Sequence, residues 1–150
     1  MPQSLNKIYI HIVFSTKNRK PLISDDIKEE LFNYLGGICK NLECNPIQVG
    51  GYKDHIHILC LLSKKITLIK LLEELKSSSS KWMKTKDVKF SSFYWQSGYG
   101  VFSVNPTEID IVTDYIQRQE EHHKVKSFQE EYRAFLNKYR MEYNEEYVWD

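Results

Sequence analysis

The sequence predicts an α+β fold, because apolar runs rich in β-branched and aromatic residues alternate with segments of helical periodicity. The order of these segments is β-α-β-β-α-β, and two further helical segments follow. The first six match the ferredoxin-like, split βαβ arrangement, an antiparallel sheet with helices on one face. At 150 residues the chain is long enough for one domain with a core. We therefore expect a single domain over residues 1–150, with the second sheet face free for a ligand or a partner.

The first half of the chain supplies three strands and one helix. Residues 8–14, IYIHIVF, predict a strand, since β-branched and aromatic side chains suit a pleated surface. Apolar residues at near-helical spacing predict a helix over 27–42, which the turn at Pro46 separates from the next element. Residues 47–51 and 55–62 predict two strands joined by a tight turn.

The second half supplies a helix, a strand and two more helices. Leucines at helical spacing predict a helix from residue 68 towards residue 82, whereas residues 85–96 show no clear periodicity. Residues 99–104, YGVFSV, predict the fourth strand. The last two helices are predicted to start at the capping residues Asn105 and Ser127.

The distribution of charge gives weak support for a polyanionic partner. The net charge is +1, so there is no global basic field. Residues 64–89, however, contain eight lysines against three acidic residues, and a second basic cluster follows the first strand. The candidate contacts with a polyanion are Lys17, Arg19, Lys20, Lys64 and Lys65. Because a charge run is usually a solvated face, that simpler interpretation stays open.

Composition also bears on the compartment. No apolar stretch approaches the length of a membrane span, and the N-terminal residues lack the basic cluster of a signal peptide. The three cysteines have neither CxxC spacing nor an even count, which is typical of reduced thiols. We therefore expect a cytoplasmic protein without a membrane partner.

Two histidines stand one residue apart in the apolar run GGYKDHIHILCLL, residues 50–62. A strand alternates its side chains, so His55 and His57 project from the same face and could be two ligands of one metal ion. The alternative is a pair of buried histidines satisfied by local hydrogen bonds. His11, on the first strand, is expected to be a strand-face residue with no special chemistry.

The third predicted helix carries a second candidate group in DYIQRQEEHH, residues 114–123. Tyr115 and Gln119 are four residues apart and His122 is seven from Tyr115, so all three share one helical face. A metal held by two histidines and the Gln119 amide would keep positions open for phosphate oxygens, one turn from the tyrosine. A free tyrosine is a poor nucleophile at neutral pH, and a cation on the phosphodiester would ease its attack. The alternative is that Tyr115 only packs and Gln119 is a surface residue.

Five short segments of this chain resemble one family. They are HIH at 55–57, YIQRQ at 115–119, WQSGYGVFSV at 95–104, TKNRK at 16–20 and QEEHH at 119–123. HIH is an HUH motif, two histidines around a bulky apolar residue, and YIQRQ resembles its Tyr-x-x-x-Gln partner. The chain is similar, over nearly its whole length, to single-tyrosine HUH transposases of the insertion-sequence 200/605 type.

The resemblance implies roles for particular residues. His55, His57 and Gln119 would be metal ligands for Mg²⁺ or Mn²⁺, and Tyr115 the nucleophile that forms a 5′-phosphotyrosine link. Two imidazoles and an amide suit Mn²⁺ or Zn²⁺ better than Mg²⁺, so Zn²⁺ is not excluded. His122 is expected to contact the DNA backbone or to lie at a solvated helix end.

The resemblance also implies an activity and an assembly. Such proteins are DNA transposases and endonucleases that cut and rejoin single-stranded DNA beside hairpins. They act as cytoplasmic homodimers in which the tyrosine helix often completes the partner's site. Three alternatives stay open. They are a non-catalytic ferredoxin-like binder of single-stranded nucleic acid or hairpins, a zinc hydrolase, and a domesticated relative that moves no element.

Overall fold

Four strands form one antiparallel sheet in the computed structural model, which describes residues 2–150. They are β1 (Tyr9–Ser15), β2 (Pro46–Tyr52), β3 (His55–Leu61) and β4 (Gly100–Val104). Their spatial order is β2-β3-β1-β4, and every neighbouring pair is antiparallel. This is the order of the split βαβ arrangement, so the predicted ferredoxin-like α+β fold is confirmed.

Two helices, α1 (Lys28–Asn41) and α2 (Leu68–Lys86), cover one face of the sheet. Alternate residues of β1 and β3 point towards these helices and form the main core with their leucines. The residues that these two strands contribute to this core are Ile10, Ile12, Phe14, Ile56, Ile58 and Cys60. Thr67 caps α2, because its hydroxyl accepts a hydrogen bond from the Lys70 amide.

The segment between α2 and β4, which has no periodicity in the sequence, is held in place by contacts with α2. Phe93 and Trp95 enter the main core. The Trp95 indole N–H donates to the Ser79 hydroxyl at 2.9 Å, and the Lys76 ammonium donates to the Gln96 carbonyl at 2.8 Å. The structure of this segment therefore depends on tertiary contacts that no local pattern reveals.

The opposite face of the sheet is covered as well, which corrects the expectation of an open face. The helices α3 (Ile109–Gln117), α4 (Gln119–His123) and α5 (Phe128–Lys138) lie on it. Two smaller apolar clusters join α5 to β1 and β4, and α3 to β3 and β4. A Cβ atom on Gly50 would lie 2.8 Å from Ile116, so α3 approaches β2 as closely as a glycine permits.

The segment predicted as a third helix forms two helices in the structure, because the helical hydrogen-bond pattern changes at Arg118. The Arg118 amide is shared between the carbonyl oxygens of Asp114, at 3.1 Å, and Tyr115, at 3.3 Å. Asn105 caps the turn that precedes α3, as expected. This turn at Arg118 separates α3 from α4. The Gln119 side chain, at the start of α4, is buried.

Cys39, Cys44 and Cys60 are buried in the main core as free thiols. Within residues 2–150, no helix is both long enough and apolar enough to cross a membrane.

Candidate active site

Three buried histidines, His11, His55 and His57, lie between the sheet and the helices α3 to α5. The alternation that directs Ile56 and Ile58 towards α1 and α2 directs His55 and His57 towards the opposite side. The centroids of the His55 and His57 rings are 5.1 Å apart. His11, expected only as a strand-face residue, is in direct contact with them, since its Nε2 lies 2.7 Å from Nδ1 of His57.

Glu131 of α5 is a buried acidic residue of this cluster, and the sequence analysis did not predict it. Its side chain is buried, and its Oε1 lies 3.0 Å from Nε2 of His57 and 3.4 Å from Nε2 of His55. Its Oε2 accepts hydrogen bonds from the Tyr115 hydroxyl and, at 3.2 Å, from the Gln119 amide. One carboxylate therefore joins the histidine pair to the tyrosine.

A signal for Glu131 was present in the sequence. It follows Phe128 by three residues and precedes Phe135 by four, so it occupies the apolar stripe of α5 together with Tyr132. A carboxylate in a buried stripe requires partners, because burying an unpaired charge is costly. Those partners come from β3, α3 and α4, which are distant in sequence.

Tyr115 and Gln119 meet the histidines despite the break between their helices. The Gln119 amide oxygen lies 2.9 Å from Nε2 of His55, and the Tyr115 ring lies 5.8 Å from the His57 ring, centroid to centroid. All of these residues belong to the same chain. The structure thus brings the predicted nucleophile and the three predicted ligands together within one protomer.

The adjacent histidines of α4 have different surroundings. His123 points into the cluster, and its Nε2 lies 3.0 Å from the Gln119 amide oxygen and 3.3 Å from Glu131. His122 stacks on the Tyr115 ring with 4.6 Å between ring centroids, and its buried Nε2 has no hydrogen-bond partner within the described chain. The predicted DNA contact of His122 stays a prediction.

The donor atoms of His55, His57 and Glu131 suit a metal ion. Their ligand atoms lie within 4.8 Å of one another. Nδ1 of His55 lies 2.7 Å from the Asp54 carboxylate, to which its N–H donates. Nε2 of His55 then faces the oxygens of Gln119 and Glu131, and a cation placed between them would take all three atoms as ligands. Two imidazoles with a carboxylate favour Mn²⁺ or Zn²⁺ over Mg²⁺.

The pKa values of His57 and Glu131 are shifted in the directions that a metal site requires. Burial lowers the pKa of His57 and that of His11, so both imidazoles are neutral at pH 7. Burial opposes ionisation of Glu131, but the neighbouring histidines outweigh this effect and hold its pKa below the ordinary value. Burial, followed by the charge of Glu131, raises the pKa of Tyr115, so its phenol keeps its proton.

The predicted basic contacts lie outside this cluster and make no hydrogen bond or ion pair with it. The first basic segment forms a 3₁₀ turn, Lys17–Arg19, directly after β1. Arg19 has a positive φ of 56°, and its guanidinium lies 5.7 Å from the centre of the Trp149 ring. Lys65 forms an ion pair with Glu43 at 3.0 Å, so its charge is already partly neutralised.

Comparison with known families decides what this arrangement belongs to. The family model described as "Transposase IS200 like" matches residues 4–119. The chain belongs to the IS200-like transposase family. The transposases for insertion sequence element IS200 of Salmonella typhimurium (strain LT2) and Salmonella typhi are each 28% identical to it over 120 residues. Each alignment covers 77% of this chain and 78% of the relative.

Two solved structures share the fold of this IS200-like transposase. A protein from Deinococcus radiodurans R1, described as a candidate transposase, has a TM-score of 0.62 at 20% identity, over 79% of this chain and 98% of its own. A REP-associated tyrosine transposase bound to a REP hairpin has a TM-score of 0.60 at 13% identity, over 82% of this chain and 73% of its own.

The matched residues end before the acidic part of the site. They include His55, His57, Tyr115 and Gln119, whereas Glu131 follows the last matched residue. In this transposase the family's matched region therefore carries the histidines and the tyrosine, and α5 adds a buried carboxylate between them.

Proposed function

We propose that this transposase cleaves and rejoins single-stranded DNA beside hairpins, with Tyr115 as the nucleophile and a 5′-phosphotyrosine as the intermediate. The observation that carries the proposal is the position of the Tyr115 hydroxyl. It donates to a carboxylate whose other oxygen faces His55 and His57. Membership of the IS200-like transposase family supports the same reaction class.

The exchange of DNA strands needs no external energy source, because the number of phosphodiester bonds does not change. The Tyr115 oxygen forms a bond to phosphorus as the bond from phosphorus to the 3′-oxygen breaks. The phenol proton leaves through its hydrogen bond to Oε2 of Glu131, and a proton from water converts the departing 3′-oxygen into a hydroxyl. One phosphodiester replaces another, so the reverse reaction rejoins strands without ATP.

We propose His55, His57, Gln119 and Glu131 as the groups that hold the metal ion. When bound, Mn²⁺ would polarise the phosphodiester and stabilise the developing charge at phosphorus. Mn²⁺ is the first choice, because it accepts both imidazole and carboxylate ligands. Mg²⁺ and Zn²⁺ are the alternatives, and titration of the protein with each ion would show which one it binds most tightly.

The assembly and the DNA surface belong to the same proposal. The DNA partner is a single strand with hairpin ends, and the basic residues that follow β1 and β3, at opposite ends of these strands, would neutralise its phosphates. The REP-associated tyrosine transposase of similar fold is bound to a REP hairpin. A cytoplasmic homodimer is expected, although each protomer already contains a nucleophile beside its own histidines. Sedimentation that shows only the 17.9 kDa monomer at micromolar concentration would contradict the dimer.

The test uses labelled oligonucleotides that carry an imperfect hairpin and randomised flanks. Wild-type protein with Mn²⁺ is expected to give a covalent protein–DNA band on a denaturing gel. Tyr115→Phe should give none, while Tyr94→Phe, which alters an exposed tyrosine, should behave as wild type. If Tyr115→Phe still gives the band, another group is the nucleophile. Hairpin binding without any band in the wild type would favour the non-catalytic alternative.

A further inference from the structure

A cleft of about 260 Å³ opens between α3 and α5. Ile111 and Val112 of α3 form one wall, and Ala134 and Phe135 of α5 form the other. Ile111 is 69% exposed, so a large apolar side chain stands at the edge of the cleft with little protein covering it. Apolar walls of this kind favour a flat, weakly hydrated group over a charged one.

The cleft extends to the reacting atoms of the proposed site. Tyr115, Glu131 and His11 line its inner end. The Tyr115 hydroxyl donates to Glu131 there, and the Tyr115 ring packs edge-to-face against Phe135 with 5.8 Å between centroids. A molecule that fills the cleft therefore touches the nucleophile.

Two lysines add positive charge to the lining. Lys126 and Lys138 are both exposed, and neither forms an ion pair within residues 2–150. Apolar walls with cations at the margin complement a group that has a flat apolar part and an anionic part.

The volume of the cleft leaves room for about one group with a flat apolar part and an anionic part. Pockets that enclose drug-sized ligands measure roughly 300–1,000 Å³. The cleft is slightly smaller than that range, so it suits a single unpaired nucleotide and excludes a base pair or a stretch of duplex. Stacking of unpaired bases on aromatic side chains is the usual way in which proteins hold single strands.

We propose that this cleft binds the nucleotide next to the phosphodiester that Tyr115 attacks. Its base lies between α3 and α5, and its phosphates lie near Lys126 and Lys138. This inference rests on the proposed function, to which it adds a nucleotide-binding cleft that adjoins the proposed metal ligand Glu131. It assigns to α5 a direct role in holding the substrate as well as in supplying Glu131.

The test measures binding alone, in a Tyr115→Phe background that cannot form the adduct. Oligonucleotides with a hairpin and a single-stranded flank carry one abasic nucleotide, moved along the flank position by position. At one or two positions the abasic site should raise the Kd by at least about five-fold, the lower limit for loss of a stacked base. Elsewhere on the flank it should have little effect.

Variants of α5 then locate that base. Ala134→Trp fills the cleft from an exposed helix position and should raise the Kd of the intact oligonucleotide by a similar factor, with no further loss from the abasic site. Asn137→Trp, exposed on the same helix but outside the cleft, should retain the abasic effect. If Ala134→Trp does not fold, Lys126→Ala with Lys138→Ala should weaken flank binding and spare the hairpin, against Lys124→Ala as control.

Unchanged binding by Ala134→Trp, or an abasic effect that persists in it, would overturn the assignment. For the paired lysine variant, unchanged flank affinity would do the same. These results are independent of catalysis. A wild-type protein that forms no covalent band defeats the proposed function, whereas a normal band with an insensitive cleft defeats only this inference.

Discussion

The two faces of the sheet are built from the same strands and differ in almost every physical property. Along β3, Ile56 and Ile58 point into the main core beneath α1 and α2, whereas His55 and His57 point into a polar cluster beneath α3 to α5. All four side chains are fully buried. Neighbouring positions of one strand thus supply a dry interior on one side and a network of ionisable groups on the other.

The difference separates the source of stability from the source of chemistry. Burial of apolar surface contributes about 25 cal/mol per Å², and the α1–α2 face consists almost entirely of such surface. The α3–α5 face instead encloses Glu131 and several histidines, whose desolvation costs free energy even when they are paired. We infer that the first face stabilises the fold and that the second is retained for metal and phosphate chemistry.

The largest effect is expected from removal of the carboxylate on the polar face. Glu131→Gln keeps the size of the side chain and removes the charge that faces the histidines. Cleavage should fall by at least about 100-fold, since even loss of a partner one shell further from a metal costs about 10–100-fold. Calorimetry should show weaker Mn²⁺ binding. Glu130→Gln, an exposed neighbour on α5, is the control, and equal loss in both variants would contradict the role of Glu131.

The next effect concerns the apolar face and changes stability instead of activity. Ile58→Ala leaves a cavity in the main core and should lower the free energy of unfolding by about 2–5 kcal/mol. The fraction that remains folded should bind Mn²⁺ and cleave DNA normally. Urea unfolding measures the first quantity and single-turnover cleavage the second. Lost metal binding in the folded variant would show that the two faces are not independent.

The pH dependence of stability should come from the polar face in metal-free protein. The pKa values of His11 and His57 are lowered, chiefly by burial, so below about pH 6.5 the unfolded state binds protons that the folded state does not. Stability should therefore fall with falling pH, by up to about 1.4 kcal/mol per pH unit for each histidine. His11→Asn should reduce this slope. A stability that does not change between pH 6.5 and pH 5 would contradict the assignment.

His123 should act in the opposite direction. Burial disfavours its charge, but hydrogen bonding to Glu131 and the charge of that residue raise its pKa above the ordinary value. Its contribution is complete below about pH 6.5 and is lost as the pH rises through the raised pKa. Thermal melts across this range in the presence of a chelator should show the decline, and His123→Asn should remove it.

The smallest effect on DNA binding is expected from the basic residues that follow β1 and β3, which lie outside the histidine cluster. Replacing Lys17, Arg19 and Lys20 with alanine should reduce the salt slope of single-strand binding by about 2, because three phosphate contacts each contribute about 0.7. Replacing Lys64 and Lys65 should change it less, since Lys65 is already paired with Glu43. Fluorescence titrations at several salt concentrations measure both slopes. An unchanged slope in the first variant would identify a solvated face.

Local patterns predicted the sheet and much of the site. Period-two alternation is a property of β3 itself, so the shared face of His55 and His57 could be predicted without knowledge of the fold. The break at Arg118 and the covered second face could not, because both depend on how α3 and α4 pack against β2. The place of Glu131 in the apolar stripe of α5 was visible in the sequence, but its partners were not. Its partners come from other elements, and only the tertiary fold brings them to one carboxylate.

The most direct test of Tyr115 as the nucleophile identifies the residue to which the DNA becomes attached. The covalent product formed with Mn²⁺ is trimmed with nuclease and digested with trypsin, which releases residues 90–118 as one peptide with three tyrosines. Fragmentation in the mass spectrometer then locates the retained nucleotide. We expect it to be attached to Tyr115 through a 5′-phosphate. A nucleotide attached to Tyr94, to Tyr99 or to any residue outside this peptide would contradict it.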